Sequence, residues 1–320
     1  MDTQETLPKT LMEAVRYFAD YENCHNFVAT MRWSDKETCP HCQSTEVRYM
    51  EKVKRFQCRG CRRQFTLKTG TVFEDSPIGL DKWLCAIWMH VNCKNGVSSY
   101  EVHRALGVTQ KTAWFMGQRI RLAMQNGSIE KLSGSIEVDE TLIGGKARFM
   151  SPKRREKMFG KGKNAKTGSF GKVVVMGVLE RSGEVRTEVI TSTKRKTLDP
   201  LVRKHVEKGS NVYTDALASY ESLRDEYIHQ TIDHAKAYVS GQIHTNGLEN
   251  FWSLLKRGIK GTYVSVEPFH LFRYLDEQAY RYNKRKLNDR QRFVEAVRGI
   301  IGKRLTYSAL TAQETQPRGC

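Results

Sequence analysis

The sequence has no long apolar run, and this absence argues against a membrane-spanning helix. The best candidate, residues 83–91 (WLCAIWMHV), is far shorter than the roughly 20 apolar residues that such a helix needs. The first residues (MDTQETLPKTL) are polar and include acids, unlike a secretory signal or a transit peptide. We therefore expect a cytoplasmic protein with no membrane partner.

Acidic residues are scarce relative to basic ones. The chain has 35 Asp and Glu against 53 Lys and Arg, so its net charge is +18. An excess of this size is typical of proteins that bind a polyanion, most often nucleic acid. Prolines number only 7, while 13 Phe, 13 Tyr and 5 Trp supply core material and argue against disorder. A length of 320 residues predicts two or three domains.

Four of the eight cysteines form two CxxC pairs. The pairs are Cys39–Cys42 and Cys58–Cys61, with 15 residues between them, which is typical of a zinc ribbon. Zn²⁺ prefers four thiolates in a tetrahedron, so we predict one structural zinc in a domain spanning 1–70. A zinc-dependent enzyme is a weak alternative, because four cysteines leave no open coordination position.

Residues 71–125 carry a helical pattern that predicts a helix-turn-helix. Ser98 or Ser99 can cap a short helix, Gly107 ends it, and Thr109 can cap a second helix. The second helix would present polar residues to DNA. The residues expected to contact DNA here are Lys111, Thr112 and Arg119. A plain helical hairpin is the alternative.

A polar linker at 126–135 precedes a second region, which contains a strongly basic insertion. Residues 146–172 hold ten Lys or Arg and one acid, together with glycines and serines. Such a loop suits a clamp on phosphates, and a merely solvated loop is the alternative. The residues chosen as DNA contacts are Lys153, Arg154 and Arg155.

The second region, residues 136–305, alternates strands and helices in the order βββ-α-β-α, and 306–320 reads as a tail. This order resembles an RNase H-like α/β core. The predicted fold class is therefore multidomain α+β, with a zinc ribbon, a helix-turn-helix and an RNase H-like catalytic domain. The predicted elements are strands at 136–143, 173–179, 185–190 and 211–214 and helices at 198–208 and 216–225.

Three carboxylates stand where such a domain could bind metal. Asp139 lies within a strand, Asp215 ends a strand, and Glu249 begins a helix. Two or three carboxylates can hold two Mg²⁺ or Mn²⁺ ions for phosphodiester chemistry. Lys256 follows Glu249 by two helical turns and so shares its face. Strand alternation is taken to put the flanking Glu137 and Glu140 on the opposite face, and pattern alone leaves the choice of acids open.

Several longer motifs resemble the IS1595 family, the ISXO2-like DDE transposases of bacterial insertion sequences. The resemblance covers roughly residues 20–285. Besides the cysteine pairs, it is carried by FTLKTGTVF (65–73), VDETLIGGK (138–146), YTD (213–215), HTNGLENFWSLLKRG (244–258) and RYLDEQAYRYNKR (273–285).

The resemblance implies roles for individual residues. Asp139, Asp215 and Glu249 would be the catalytic, metal-binding triad, and Lys256 the accompanying basic residue. The third position varies in the family between Asn, His and Glu, so the third ligand could instead be a nearby Asn. Nearby, His244 and Asn246 are expected to bind DNA by helping to place the DNA end or the helix, and Arg257 is expected to be a further DNA contact.

The implied function is transposition in the bacterial cytoplasm, close to the nucleoid. Such a protein would bind the inverted repeats of its own element, cut there, and transfer the 3′-hydroxyl end into target DNA. Double-stranded DNA is the expected partner, and pairing two element ends implies at least a homodimer. Two alternatives remain: a zinc-ribbon/helix-turn-helix DNA-binding regulator, and a structure-selective nuclease on the RNase H-like fold.

Overall fold

A computed structural model describes eight stretches of the chain in two compact units. The stretches are 7–33, 35–125, 127–145, 151–153, 156, 171–215, 218–232 and 244–311. The first unit combines Met1–Asn126 with Lys284–Cys320, and the second comprises Gly127–Asn283. The division at residue 126 falls at the start of the predicted linker.

The first unit begins with helices and a small ribbon. Its three strands form an antiparallel sheet in the order β1-β2-β3. The strands are β1 (Val47–Met50), β2 (Arg55–Cys58) and β3 (Gln64–Phe65). The helices before and after the ribbon are α1 (Leu11–Phe18), α2 (Tyr21–Arg32), α3 (Leu80–Asn92), α4 (Ser99–Leu106) and α5 (Gln110–Ala123).

Capping residues set the bounds of α4 and α5. Ser98 and Glu101 form a reciprocal capping box at the start of α4. Gly107 ends α4 with a φ of 59°, a left-handed conformation that glycine adopts without strain. The hydroxyl of Thr109 then accepts the backbone N–H of Thr112 at the start of α5. Two helices joined by a glycine turn are therefore present where the sequence predicts them.

The C-terminal segment differs from the predicted domain boundary. Residues up to 305 were expected to belong to the catalytic domain, but residues 284–305 pack in the first unit. Helices α9 (Asp289–Arg298) and α10 (Tyr307–Thr311) lie there. Phe293 explains the packing, because its ring lies 5.5 to 5.7 Å from those of Phe27 and Phe18 and 5.1 Å from that of Trp88.

The second unit is built on a five-stranded mixed sheet in the order β6-β5-β4-β7-β8. Strands β4, β5 and β6 are antiparallel neighbours, whereas β7 and β8 run parallel to β4. The strands are β4 (Ser135–Ile143), β5 (Val173–Glu180), β6 (Val185–Ile190), β7 (Asn211–Asp215) and β8 (Ile228–Ile232). The helices are α6 (Arg195–His205), a 3-10 helix (Ala218–Asp225), α7 (Asn246–Gly258) and α8 (Leu271–Asn283), with a π turn (Ile259–Tyr263) after α7.

Apolar side chains cover both faces of this sheet. On one face Ile136 and Val138 pack with residues of α6 and the 3-10 helix, including Leu198 and Tyr220. On the other face residues of β5 pack with the apolar side chains of α7 and α8. The sheet is thus a central layer between two helical layers, and β4 lies in its middle.

In the described part of the chain, no helix is long and apolar enough to cross a membrane.

Candidate active site

The four ribbon cysteines converge on one point. Their sulfur atoms all lie within 4.8 Å of one another. The Sγ atoms of Cys39 and Cys61 are 3.7 Å apart, and those of Cys42 and Cys58 are 3.5 Å apart. A tetrahedron with Zn–S bonds of about 2.3 Å has edges of about 3.8 Å, so the spacing fits zinc. This geometry and the donor set suggest a structural Zn²⁺.

A second cluster consists of carboxylates in the central sheet. Asp139 in β4 and Asp215 at the end of β7 are brought together, and Glu140 joins them. One carboxylate oxygen of each residue lies within 4.8 Å of the other two. The parallel pairing of β4 with β7 explains the meeting, because both strands run towards the same edge of the sheet.

Asp139 is held by the helix packed above it. Trp252 of α7 donates its indole N–H to Asp139 Oδ2 at 2.9 Å, while the ring itself is only 4% exposed. Burial raises the pKa of Asp139 to about 6, and the negative charges of Asp215 and Glu249 act in the same direction. Crowded carboxylates of this kind are stabilised by a cation.

Glu140 belongs to the carboxylate cluster, which the strand pattern did not indicate. It was expected to lie away from Asp139, and its side chain does contact the opposite helical layer, where it accepts a hydrogen bond from Tyr220. Its carboxylate nevertheless lies within 4.8 Å of that of Asp215. Strand alternation predicts only the face from which a side chain starts, and the long glutamate side chain carries its carboxylate further. Burial raises the pKa of Glu140 to about 7, with Asp215 and Asp139 contributing.

Helix α7 forms the opposite wall of an open cleft of about 620 Å³ above the carboxylates. Glu249 and Lys256 both line it, as their shared helix face predicts, although Glu249 is not one of the acids within 4.8 Å of one another. The residues around the cleft are Asp139, Glu140, Thr141, Glu249, Trp252, Ser253, Lys256, Arg257 and Lys260. A carboxylate floor beside three cations suits a metal ion together with a phosphate.

Glu137 also differs from expectation. It precedes Asp139 by two residues, so period-two alternation puts both on the same face, the one covered by α7. Its side chain is 1% exposed and accepts the N–H of Leu248. His244, predicted to place the DNA end or the helix, lies within 3.4 Å of the same carboxylate. Asn246 is exposed at the start of α7.

The DNA contacts predicted in the first unit fall into different environments. Lys111 is exposed in the first turn of α5, and Thr112 is half-buried and takes part in the Thr109 cap. Arg119 contradicts the prediction, because it is only 5% exposed. Its guanidinium donates to the carbonyls of Leu305, Val72 and Glu74, and this burial makes it a structural residue.

The basic insertion is described only in part. Lys153 is exposed, while Arg154 and Arg155 lie outside the described residues.

Two domain families match the chain. Residues 131–283 match the ISXO2-like transposase domain, and residues 19–64 match a transposase zinc-ribbon domain. The first match contains the carboxylate cluster and α7, and the second contains all four ribbon cysteines, from Cys39 to Cys61.

Individual proteins agree with these matches. A protein in transposable element ISH50 of Halobacterium salinarum is 27% identical over 77% of this chain and 85% of that protein. A transposase-like protein of Haemophilus influenzae is 31% identical over 32% of this chain and 85% of that protein.

A chain of a solved pre-cleavage Mos1 transpososome aligns with 66% of this chain over 76% of its own length, at 13% identity and a TM-score of only 0.28. The two domain matches together span more than half of the sequence, and the chain therefore belongs to the IS1595 family of transposases.

Proposed function

We propose that this transposase binds the terminal inverted repeats of its own insertion sequence, cuts DNA there, and joins the freed 3′-hydroxyl to target DNA. The observation that carries the proposal is the meeting of Asp139, Glu140 and Asp215 within 4.8 Å. The first two of these acids line a cleft whose other wall bears Glu249 and Lys256. We further infer an RNase H-like core, which the sheet order β6-β5-β4-β7-β8 supports.

The donor set fits Mg²⁺ or Mn²⁺. These ions prefer oxygen ligands, and the raised pKa values of Asp139 and Glu140 indicate negative charge that a divalent cation would stabilise. Asp139 and Asp215 would hold the ions, with Glu249 from α7 and Glu140 as further oxygen donors. Divalent ions held there would make the attacking hydroxyl more acidic and stabilise the charge on the leaving oxygen.

The chain's own residues would position the reacting groups in two chemical steps. In the first, water attacks the phosphorus at the element end, and the P–O3′ bond breaks to leave a 3′-hydroxyl. In the second, that hydroxyl attacks a target phosphodiester, one P–O bond forms and one breaks, and no covalent protein intermediate is required. Lys256, Arg257 and Lys260 would bind the phosphates, while Trp252 keeps the Asp139 carboxylate turned towards the cleft.

The first unit would recognise the element ends. Its two helices joined at Gly107, and the exposed Lys111 in the first turn of α5, support a helix-turn-helix that reads DNA. The zinc ribbon would add phosphate contacts through the exposed Lys52, Lys54 and Arg55 at the turn from β1 to β2. Synapsis of two element ends would require at least two copies of the chain.

A nick-mapping assay on DNA from the flanks of the gene tests the proposal. Purified protein is incubated with the DNA and Mg²⁺ or Mn²⁺, and Asp139→Asn is the matched control. We expect cuts at the outer edges of inverted repeats that disappear in the control. Tight binding without metal-dependent cleavage would favour the regulator, and cleavage of branched or hybrid substrates alone would favour a structure-selective nuclease.

A further inference from the structure

Glu137 is a buried acid directly beneath the first turn of α7. Its Oε2 atom accepts the backbone N–H of Leu248 at 2.9 Å, and its Oε1 atom accepts Nε–H of Arg181 at 3.0 Å. The helix's own N-cap, Thr245, makes no side-chain capping bond. A carboxylate from the neighbouring sheet therefore supplies the cap, where the helix dipole also favours negative charge.

Arg181 connects this cap to the strands of the sheet. Besides Glu137 in β4, its guanidinium donates to the carbonyl of His244 at 2.7 Å and lies 4.1 Å from the ring centre of Tyr213 in β7. Asp139 lies in β4 and Asp215 ends β7, while His244 lies two positions before α7, the helix that bears Glu249. One side chain thus contacts both strands that bear acids of the predicted triad and the segment that leads into the helix bearing the third.

Close packing leaves α7 little freedom at this end. A Cβ atom on Gly247 would lie 2.5 Å from Leu179 Cδ2 and 2.8 Å from Glu137 Oε2, so the helix begins in near contact with the sheet. The carboxylate is almost fully buried and is costly to leave unpaired. Loss of either Glu137 or Arg181 should therefore displace the start of α7.

We propose that Glu137 and Arg181 are positioning residues for the DNA-cutting reaction. They hold α7 so that Glu249 and Lys256 face Asp139 and Asp215, and they act through the helix without contacting DNA. This inference rests on the proposed function for its catalytic consequence, but its structural half is measurable without DNA.

The first experiment measures hydrogen–deuterium exchange of the full chain without DNA. The variants are Glu137→Ala, Glu137→Gln and Arg181→Lys, and the matched control is Glu188→Gln, an ion-paired acid on β6. Glu137→Ala should speed exchange of the amides in the first turn of α7 by at least about tenfold, because the acceptor of Leu248 N–H is lost. Glu137→Gln should show a smaller change, because its amide oxygen still accepts that N–H, and Glu188→Gln should match the wild type there.

The second experiment measures cleavage kinetics on element-end DNA. Glu137→Ala should lower kcat about 10- to 100-fold, the range seen when residues that orient metal ligands are removed, with little change in the KM for DNA. Glu137→Gln should recover part of that loss. If Arg181→Lys raises KM and leaves kcat unchanged, Arg181 binds a phosphate and the positioning role is wrong.

The two experiments separate failure of this inference from failure of the proposed function. Wild-type exchange in the first turn of α7 of Glu137→Ala would overturn the positioning role whatever DNA is cut. If wild-type protein cuts no DNA while exchange responds as expected, the proposed function fails and the structural role of Glu137 survives. If Glu137→Ala does not fold, Glu137→Gln and Arg181→Lys decide: faster exchange confined to the first turn of α7 supports the role, and wild-type exchange in both overturns it.

Discussion

At the scale of single residues, the cleft places acids in an environment that opposes their charge. The pKa of Asp139 is raised from 3.8 to about 6, mainly by burial. A carboxyl whose pKa is higher in the folded than in the unfolded state favours folding at low pH. That contribution is fully present below the unfolded pKa and is lost as pH rises through the folded pKa. The ionised site therefore destabilises the fold when no divalent ion is bound.

The first prediction concerns Asp139→Asn without added Mg²⁺ or Mn²⁺. At pH 8 the variant should have a higher free energy of unfolding than wild type by about 1–3 kcal/mol, since it removes a buried charge. The difference should shrink as pH falls from about 7 to 4. Urea unfolding at several pH values measures it, with exposed Asp225→Asn as the control. A variant less stable than wild type at pH 8 would contradict the prediction.

At the scale of elements, α7 is fixed by its contact with β5. Gly177 faces this helix, and a Cβ atom there would lie 2.6 Å from the ring of Trp252 and 2.9 Å from Leu248. Glycine in a strand often marks such a close approach. The contact sets the distance of Trp252 from the sheet, so the hydrogen bond from Trp252 to Asp139 depends on a residue with no side chain.

The second prediction follows from this contact. Gly177→Ala should destabilise the protein by about 1–3 kcal/mol through overpacking, and should also lower cleavage because Trp252 moves away from Asp139. Denaturant midpoints and cleavage rates measure the two effects. Gly261→Ala is the matched control, since a Cβ there meets nothing within 4 Å. Equal stability of the two variants would show that α7 can shift without cost.

At the scale of the whole molecule, the net charge of +18 is the main long-range property. Each phosphate contact releases counterions, so the affinity for duplex DNA should fall steeply with salt concentration. Basic side chains should contribute unequally to this salt dependence. Lys111 is exposed and can meet a phosphate, whereas the guanidinium of Arg119 donates to backbone carbonyls. Charge counts alone do not make this distinction.

The third prediction compares Lys111 with Arg119. Lys111→Ala should reduce the slope of log affinity against log salt by about 0.9, since it removes one proposed phosphate contact. Loss of the contact between the Lys111 ammonium and the ring of Tyr307, 4.8 Å away, should lower stability by no more than about 1 kcal/mol. The exposed Lys9→Ala is the control and should leave the slope closer to wild type. Arg119→Ala should instead lower the melting temperature, because three carbonyls lose their donor. Binding titrations at several salt concentrations and thermal melts decide between these roles; an unchanged slope for Lys111→Ala would remove it from the DNA interface.

Local sequence determined the ribbon, the caps and four of the five strands of the central sheet, whereas β8 (Ile228–Ile232) was not predicted. The CxxC spacing predicts the cysteine cluster, because two turns of fixed geometry present four sulfurs to one ion. Ser98, Gly107 and Thr109 predict the bounds of α4 and α5 for a similarly local reason. Asp139, Asp215 and Glu249 could be nominated as candidates because strands and helix starts are visible in the pattern, and the family resemblance singled them out from the other acids.

Only the tertiary structure decided which side chains surround those acids. Glu140 joins the carboxylate cluster, and Glu137 and Arg181 fix the start of α7, through contacts between residues 44 to 111 positions apart in the sequence. Arg119 is buried because its partners come from distant segments, including Leu305. The physical reason is common to all of them: periodicity fixes the face on which a residue lies, whereas the partner it meets depends on how far its side chain reaches and on which element packs above it.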